Sequence, residues 1–332
     1  MDVRVIVGKG EVKGESYRLE SAAEVEEDPP ETREAQVAEA RHGERLDKVI
    51  VGLAPEFSRS HLQGLIKGGQ VSVDGKPAGS ASQRVRAGQR IAMTLLPTEE
   101  SRAYRAEALP MAVVYEDEDL LVVDKEAGRV VHPAAGNWTG TLLNGLLERY
   151  PQSAALPRAG IVHRLDKDTS GLMVVGKTLV AVTALVRAIG GREVRRRYLA
   201  IAHGKAPAAA FSVEAPIGRD PQMRLRMAVI ASGKAARTDV ERIASDDILS
   251  ALRCTLHTGR THQIRVHLAS RRLPLVGDRL YGGRAAEGID RQALHAAELA
   301  FAHPLSGRPL AFASPLPADL APAWRRLTGS PA

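Results

Sequence analysis

Residues 163–176 read HRLDKDTSGLMVVG, a polar run that passes directly into an apolar one. The apolar part predicts a buried strand, and Ser170 with Gly171 predicts the turn that leads into it. Rigid scaffolds commonly present catalytic side chains on loops at the ends of a sheet. Asp166 and Asp168 in this loop are therefore candidate functional carboxylates.

Two carboxylates so close in sequence leave several interpretations open. A glycosidase needs a carboxylate pair about 5 to 9 Å apart, and the two usually come from different elements. A metal site needs further ligands, and no other carboxylate or histidine with ligand spacing lies nearby. Asp168 is typical of a turn that its own side chain caps. Under this interpretation, Asp166 is the carboxylate that takes part in the chemistry.

A second stretch, EVRRRYLA at 193–200, carries three arginines ahead of Tyr198. Charged residues often protect a solvated strand edge, and Tyr198 could be an ordinary core residue. The chain has only 6 tyrosines, however, and a tyrosine beside arginines can stack on a nucleobase while the arginines bind phosphates. Arg195 and Arg197 are the candidate phosphate-binding residues here.

A third stretch, LHTGRTHQIRVHLA at 256–269, holds three regularly spaced histidines. Neither a strand nor a helix brings residues at that spacing to one face, so we expect no metal site there. Thr261 is expected to cap a short helix that points Arg265 inward beside apolar neighbours. A buried arginine needs an acid, and the acid available is Asp166.

The composition of the chain narrows its class. Its 332 residues are 44% hydrophobic with a formal net charge of +7, as in a globular protein with a mild preference for polyanions. A single cysteine, Cys254, excludes a disulfide framework and fits a reducing compartment. No apolar run approaches the roughly 18 residues that cross a bilayer, and the N-terminus lacks the apolar part of a secretory signal. We expect a cytoplasmic protein without membrane contact.

Charge and composition divide the chain into four segments. Residues 11–40 hold ten acidic residues against three basic ones and almost no large apolar residue after Leu19, which predicts that 1–40 is a disordered tail, either a solvated leader or a nucleic-acid mimic. Residues 41–96 are basic, and 97–106 form a polar linker. Strands and helices mix irregularly over 107–325, which predicts an α+β fold with a mixed, largely antiparallel sheet and flanking helices. No Rossmann or Walker phosphate-binding motif occurs.

The basic segment has the pattern of a small α+β module. Two short apolar helices, the second capped by Ser58, precede a hairpin whose turn is Asp74 and Gly75. Lysine and arginine on its exposed faces can track backbone phosphates without reading sequence. The candidate RNA-binding residues are Arg45, Lys48, Arg59, Lys67 and Lys76.

Several motifs resemble those of known RNA-modifying proteins. RLD, SR, an apolar helix and GGQVSVDGK in residues 44–95 resemble the S4 RNA-binding module. Behind it, HRLDKDTSG, RRRYLAIAHG and HTGRTHQIRVHLA with LPLVGDRLYGG resemble the ribosomal RNA pseudouridine synthases, most of all members that act on the large subunit. One departure is Glu126, which stands where the family usually has proline, and we expect a less rigid loop there.

The resemblance implies the pseudouridine synthase fold, with a small S4 domain, and an isomerase that needs no cofactor or metal. Asp166 would be the catalytic aspartate, as nucleophile or as stabiliser of C1′. Arg265 would hold it ionised and oriented through two parallel hydrogen bonds, and Tyr198 would stack on the uracil. The target nucleotide must leave its stack, and Arg164 is the candidate to fill its place.

The implied partner is large-subunit ribosomal RNA, either free or in a pre-ribosomal particle, bound by a monomer. Two alternatives stay open, the same reaction on tRNA and a non-catalytic RNA-binding factor in ribosome assembly. The second alternative would need only the S4-like module and would leave the three later motifs unexplained.

Overall fold

The computed structural model of the chain describes residues 31–95, 103–134, 136–223 and 225–330. These residues form two compact units, which divide between Ala103 and Tyr104. In the described ranges, no helix is both long enough and apolar enough to cross a membrane.

The smaller unit combines a four-stranded sheet with two short helices. Its elements are β1 (Glu31–Gln36), α1 (Leu46–Val49), α2 (Arg59–Lys67), β2 (Val71–Val73), β3 (Lys76–Pro77) and β4 (Arg90–Leu95). The strand order is β1-β4-β2-β3, and every pairing is antiparallel. Leu46, Leu62 and Ile66 from the helices share one apolar core with Ile91 and Met93 of β4.

The helix cap and the hairpin turn predicted for this unit are both present. The Ser58 hydroxyl accepts a hydrogen bond from the backbone N–H of His61 at 3.3 Å, and so caps α2. Asp74 and Gly75 have φ angles of 50° and 77°, which is the left-handed pair that a two-residue hairpin turn requires. Strands β2 and β3 therefore pair directly across this turn.

Strand β1 lies inside the stretch predicted to be a disordered tail, so that part of the prediction was wrong. Glu31–Gln36 pairs along its whole length with β4. The pairing uses backbone hydrogen bonds, and polar side chains on an edge strand do not prevent these. The polar composition of this segment therefore did not indicate whether it is disordered. Residues 1–30 of the predicted tail and 97–102 of the predicted linker lie outside the described residues.

The larger unit is built on a nine-stranded sheet. Its strands are β5 (Ala112–Glu116), β6 (Leu120–Lys125), β7 (Ser170–Gly176), β8 (Arg195–His203), β9 (Ala210–Glu214), β12 (Arg237–Ser245), β13 (Leu249–Leu256), β14 (Leu294–Ala302) and β15 (Pro309–Ala313), with β10 (Ile217–Arg219) and β11 (Met227–Val229) as a separate ribbon. Its helices are α3 (Leu142–Arg149), α4 (Leu179–Gly190), α5 (Gln263–Ser270) and α6 (Ala321–Thr328).

The sheet is mixed, and largely antiparallel as predicted. Its order is β5-β6-β7-β14-β8-β13-β12-β9, with β15 paired to β14. Of these neighbours only β7 and β14 run parallel. That pairing brings the loop before β7 next to β14 and, one strand further, to β8, which are the elements that carry the candidate residues.

Gly171 makes the parallel pairing possible. Its φ is 113°, and a Cβ at this position would lie 2.3 Å from the backbone oxygen of Ala296 on β14. A side chain would therefore separate the two strands at the end of the loop that carries Asp166. The glycine of the HRLDKDTSG motif is thus required by packing.

Candidate active site

A cleft of about 430 Å³ opens in the larger unit. It is bounded by the loop before β7, by β8 and by the segment between β13 and α5. Asp166, Tyr198 and Arg265, each predicted from a different stretch of sequence, all line it. Arg164 lines it as well and is exposed to solvent.

The loop that carries Asp166 is held by its backbone. Lys125, buried at the end of β6, donates to the carbonyl of Lys167 at 3.0 Å, and the N–H of Gly128 donates to the same oxygen at 2.9 Å. On the other side, the Arg291 guanidinium donates to the carbonyl of Asp168 at 2.8 Å. The loop is therefore fixed from two sides, while the Asp166 carboxylate stays open to the cleft.

Asp168 does not cap the turn as predicted, and Glu126 has an ion-pair partner within its own loop. Among the described residues, no donor reaches the Asp168 carboxylate, and its backbone oxygen makes the structural contact instead. Glu126 forms an ion pair with Arg129, and the lower rigidity expected of this loop without proline stays a prediction. Two bonds from this segment to Lys167 connect it to the candidate site.

Arg265 is the centre of the charge arrangement in the cleft. Its Nη1 donates to Asp166 at 3.0 Å, while Nε and Nη2 donate to the two carboxylate oxygens of Asp278 at 2.7 and 2.9 Å. The predicted two-pronged grip on Asp166 was therefore wrong, because the paired bonds go to Asp278. Burial opposes the charge on Arg265, but the bonds and charges of the two acids outweigh it and raise its pKa.

An aromatic and a histidine complete this arrangement. The Tyr281 ring lies under the Arg265 guanidinium, with 5.0 Å between its centroid and Cζ. The Tyr281 hydroxyl is 2.8 Å from Nδ1 of His262, whose Nε2 lies 3.9 Å from Asp166. Burial lowers the pKa of His262 and so keeps it neutral. Sequence reasoning missed Asp278, Tyr281 and His262, although the first two stand in the LPLVGDRLYGG motif.

Helix α5 begins later than predicted. Its N-cap is His262, which has a left-handed φ of 55°, and no side chain caps the helix. Thr261 is therefore not the cap. The result for Arg265 is the same, because a start at Gln263 still turns position 265 inward, where the arginine is 6% exposed.

The arginines of β8 lie on two different faces, because successive side chains of a strand alternate. Arg196 and Tyr198 line the cleft, and both are nearly buried. Arg195 and Arg197 point to the opposite face, where Arg197 pairs with Glu298 at 3.1 Å. Arg195 and Arg197, the members of the triplet predicted to bind phosphate, therefore lie outside the cleft lining, and the period of two on a strand could have identified Arg196 as the residue that faces it.

Tyr198 lies in the cleft as a neutral phenol. Burial raises its pKa, and no described residue is hydrogen-bonded to its hydroxyl. It shares an apolar cluster with Leu165, Ile264 and Leu294, which anchors the ring beside the loop of Asp166. A planar surface is thus held next to the carboxylate.

The wall of the cleft is strongly cationic. Among the described residues that line it, Asp166 supplies the one carboxylate, whereas six are arginines: Arg158, Arg164, Arg192, Arg196, Arg260 and Arg265. Burial lowers the pKa of His132 to about 4, helped by Arg158 and Arg164, and that of His163 to about 3, helped by Arg196. Both histidines therefore stay neutral, and the arginines alone supply the positive field.

His163 should make the stability of the larger unit depend on pH. Because its pKa in the fold is about 3 while that of the unfolded chain is 6.5, stability is full above pH 6.5 and falls as the pH drops toward 3. By pH 5 the loss should be about 2 kcal/mol, and His163→Gln should remove it.

Urea unfolding at pH 5 and 7 measures this effect. Tryptophan fluorescence reports on the larger unit specifically, because both tryptophans, Trp138 and Trp324, belong to it. If wild type and His163→Gln lost the same stability between the two pH values, His163 would not be the buried neutral group described here.

The three histidines predicted not to bind metal are engaged separately. His257 contacts Asp239 at 2.6 Å, His262 contacts Tyr281, and His267 contacts Thr238 at 2.9 Å. A different group, Asp117, Asp119 and His303, has ligand atoms close enough to hold an ion. Nδ1 of His303 accepts two backbone N–H bonds and its Nε2 donates to Asp117, so this histidine has no nitrogen left for a metal.

The five basic residues predicted in the smaller unit fall into two groups. Three are exposed and form no ion pair with any described residue: Lys48, Lys67 and Lys76. The other two, Arg45 and Arg59, donate to the buried Asp47 carboxylate at 3.0 and 2.8 Å. The hydrogen bond from Arg45, assisted by those of Arg59 and Gln63, holds the pKa of Asp47 well below its usual range.

Comparison with known proteins gives the class first. The sequence model of the RNA pseudouridylate synthases matches residues 119–270, and that of the S4 domain matches 44–91. Human RNA Pseudouridylate Synthase Domain Containing 1 has a similar structure, with a TM-score of 0.50 and 26% identity over 69% of this chain and 89% of its own. The fold and the matched motifs define a pseudouridine synthase preceded by an S4 domain.

Relatives over nearly the whole chain refine this class. Ribosomal large subunit pseudouridine synthase D of Nitrosomonas europaea is 44% identical over 324 residues, 95% of this chain and 94% of its own. The proteins of that name from Neisseria meningitidis serogroup B and Xanthomonas campestris pv. campestris are 48% and 46% identical, over 84% and 87% of this chain and 77% and 90% of theirs. This chain belongs to the RNA pseudouridine synthase family.

Proposed function

We propose that this protein converts uridine to pseudouridine in large-subunit ribosomal RNA. The observation that carries the proposal is an ion-paired carboxylate, Asp166, beside Tyr198 in a cleft whose other charged groups, among the described residues, are arginines. A negative polymer suits such a wall, and one carboxylate is enough for chemistry at a single sugar carbon. The names of its relatives supply the ribosomal large subunit as the source of the RNA.

The reaction is an isomerisation in which every atom is retained. The N1–C1′ bond breaks, the uracil turns, and C5 bonds to C1′. C5 then loses its proton and N1 gains one, so the number of protons does not change. Asp166 can bond to C1′ or stabilise its positive charge, and in both routes Arg265 keeps the carboxylate facing the sugar. No redox step is involved.

Tyr198 and Arg164 have supporting roles in this proposal. The neutral phenol ring of Tyr198 packs against the uracil during its rotation, close enough to C5 to assist the late proton transfer. The target nucleotide must leave its stack to reach a cleft of this kind. Arg164, exposed at the cleft, fills the position that the flipped base leaves.

The proposal is tested with the full chain and two unmodified substrates made by transcription, large-subunit ribosomal RNA and a set of tRNAs. No cofactor is added, and pseudouridine is measured by nucleoside mass spectrometry. We expect it in the ribosomal transcript. Pseudouridine only in tRNA would assign the other substrate, and tight RNA binding without any pseudouridine would favour an assembly factor.

The smaller unit is proposed to hold the RNA backbone through its exposed lysines. The triple change Lys48→Gln, Lys67→Gln and Lys76→Gln should weaken binding and reduce the slope of log Kd against log salt by about 2 to 3, since each of three phosphate contacts contributes about 0.7 to 0.9. Lys205→Gln, at an exposed lysine of the larger unit that already pairs with Asp247, is the control. A slope equal to that of the control would exclude these lysines from the interface.

Cytoplasmic action by a monomer is proposed as well. A ribosomal RNA substrate places the enzyme with the ribosome, and the one thiol, Cys254, is buried with its pKa raised to about 12. Light scattering of the purified chain with size-exclusion chromatography measures the oligomeric state, for which we expect one chain.

A further inference from the structure

Arg196 is a buried cation for which the described residues supply no counter-charge. It is 5% exposed and lines the cleft on the same face of β8 as Tyr198. Its Nε is buried without a hydrogen-bond partner, and no carboxylate of the described ranges lies within ion-pair distance of its guanidinium. The charge of Arg196 is thus directed into the cleft without internal compensation.

Two other arginines of this region that are not exposed have acidic partners, whereas the exposed arginines of the cleft wall are solvated. Arg197, its neighbour on β8, pairs with Glu298 at 3.1 Å, and Arg265 is held by both Asp278 and Asp166. Keeping a guanidinium buried without a partner is strongly unfavourable for the free protein. Such a cost is expected where a ligand brings the missing charge.

Two further features of the cleft wall suit an anion beside Arg196. Gly259 lies so close that a Cβ there would be 3.1 Å from Nη1, so a side chain would press on the guanidinium. Nε2 of His163 accepts the backbone N–H of Val174 at 3.0 Å, which leaves the proton on Nδ1, and that atom is buried without a partner. Arg196 and His163 are therefore two unsatisfied donors in one cleft.

We propose that Arg196 binds a phosphate of the RNA backbone next to the uridine that enters the cleft, an inference that rests on the proposed function. The phosphates are the anions of RNA, whereas the uracil carbonyls are neutral. A guanidinium matches two phosphate oxygens with two parallel hydrogen bonds. Arg196 and Tyr198 stand two residues apart on one strand face, about 7 Å along it, which suits a base on one and a flanking phosphate on the other.

Binding of the large-subunit transcript tests this directly, in full-length protein that also carries Asp166→Asn to prevent turnover. Arg196→Gln should raise Kd about tenfold and reduce the salt slope by about 0.7 to 0.9. Arg196→Lys keeps the charge but not the fork, so it should raise Kd several-fold with an unchanged slope. The thermal midpoint should stay or rise, because an unpaired buried charge has been removed.

Arg253→Gln is the matched control. Arg253 lies on the adjacent strand β13 opposite Leu199, outside the cleft lining, and pairs with Glu241 at 3.0 Å. Its replacement should leave both Kd and slope at their original values. An effect equal to that of Arg196→Gln would mean that any lost arginine weakens binding, and the specific contact would be rejected.

The outcomes separate this inference from the proposed function. If the wild type forms pseudouridine but Arg196→Gln binds with the original Kd and slope, the phosphate contact is wrong and the function stands. If the slope changes as expected while the wild type forms none, the contact stands and the function falls. Loss of folding or a lowered thermal midpoint in Arg196→Gln would show a structural arginine and overturn the inference.

Discussion

Asp166→Asn is expected to abolish pseudouridine formation, with a loss of about 10⁴-fold or more in the single-turnover rate, as for the removal of other catalytic groups that act as a unit. The amide can neither bond to C1′ nor balance its positive charge. RNA affinity should change by no more than a few fold, because the other groups of the cleft wall stay in place. Single-turnover assays with saturating enzyme, together with Kd for the same transcript, measure both quantities.

Asp168→Asn is the matched control for this experiment. Asp168 lies two residues away in the same loop, and its contact with Arg291 uses the backbone oxygen, which the substitution retains. Its rate should stay within a few fold of the wild-type rate. Appreciable pseudouridine formation by Asp166→Asn, or a folded but inactive Asp168→Asn, would assign the chemistry to the wrong carboxylate.

Arg265→Lys is expected to be the second most damaging change, although it keeps the charge. The guanidinium bridges Asp166 and both oxygens of Asp278, and an ammonium group cannot span the two acids. Asp166 would then rotate freely, and a misplaced catalytic group costs about 10²-fold in rate. The loss should appear in kcat with Kd for RNA nearly unchanged.

Asp278→Asn tests whether the position of Arg265, and not only its charge, matters. The Asp278 side chain is 1% exposed, does not line the cleft and accepts two hydrogen bonds from Arg265. It should lower kcat by roughly tenfold and leave Kd unchanged, as expected for a positioning residue. Arg253→Lys is the control for Arg265→Lys, because Arg253 pairs with Glu241 outside the cleft lining. Turnover near that of the wild type in Arg265→Lys would remove the arginine from the candidate active site.

Local signals were sufficient for much of the architecture. The cap at Ser58, the turn at Asp74 and Gly75, and the buried strand at 172–176 depend on residues within a few positions of each other, so a single sequence contains them. The turn predicted at Ser170 and Gly171 was wrong, because both residues already belong to β7. Local signals gave a wrong prediction where the structure depends on pairing with a distant strand. The polar residues of β1 have the composition of a disordered tail, yet they form a strand because they pair with β4.

The sequence by itself determined the family and three residues of the candidate site, Asp166, Tyr198 and Arg265, because each stands in a recognisable motif. Only the tertiary structure decided which charges meet. Arg265 bonds to Asp166, 99 positions away, yet gives its paired bonds to Asp278, and Arg196 is left without an acid among the described residues. Motifs record which side chains are present, whereas the free energy of a buried charge depends on partners that only folding brings together.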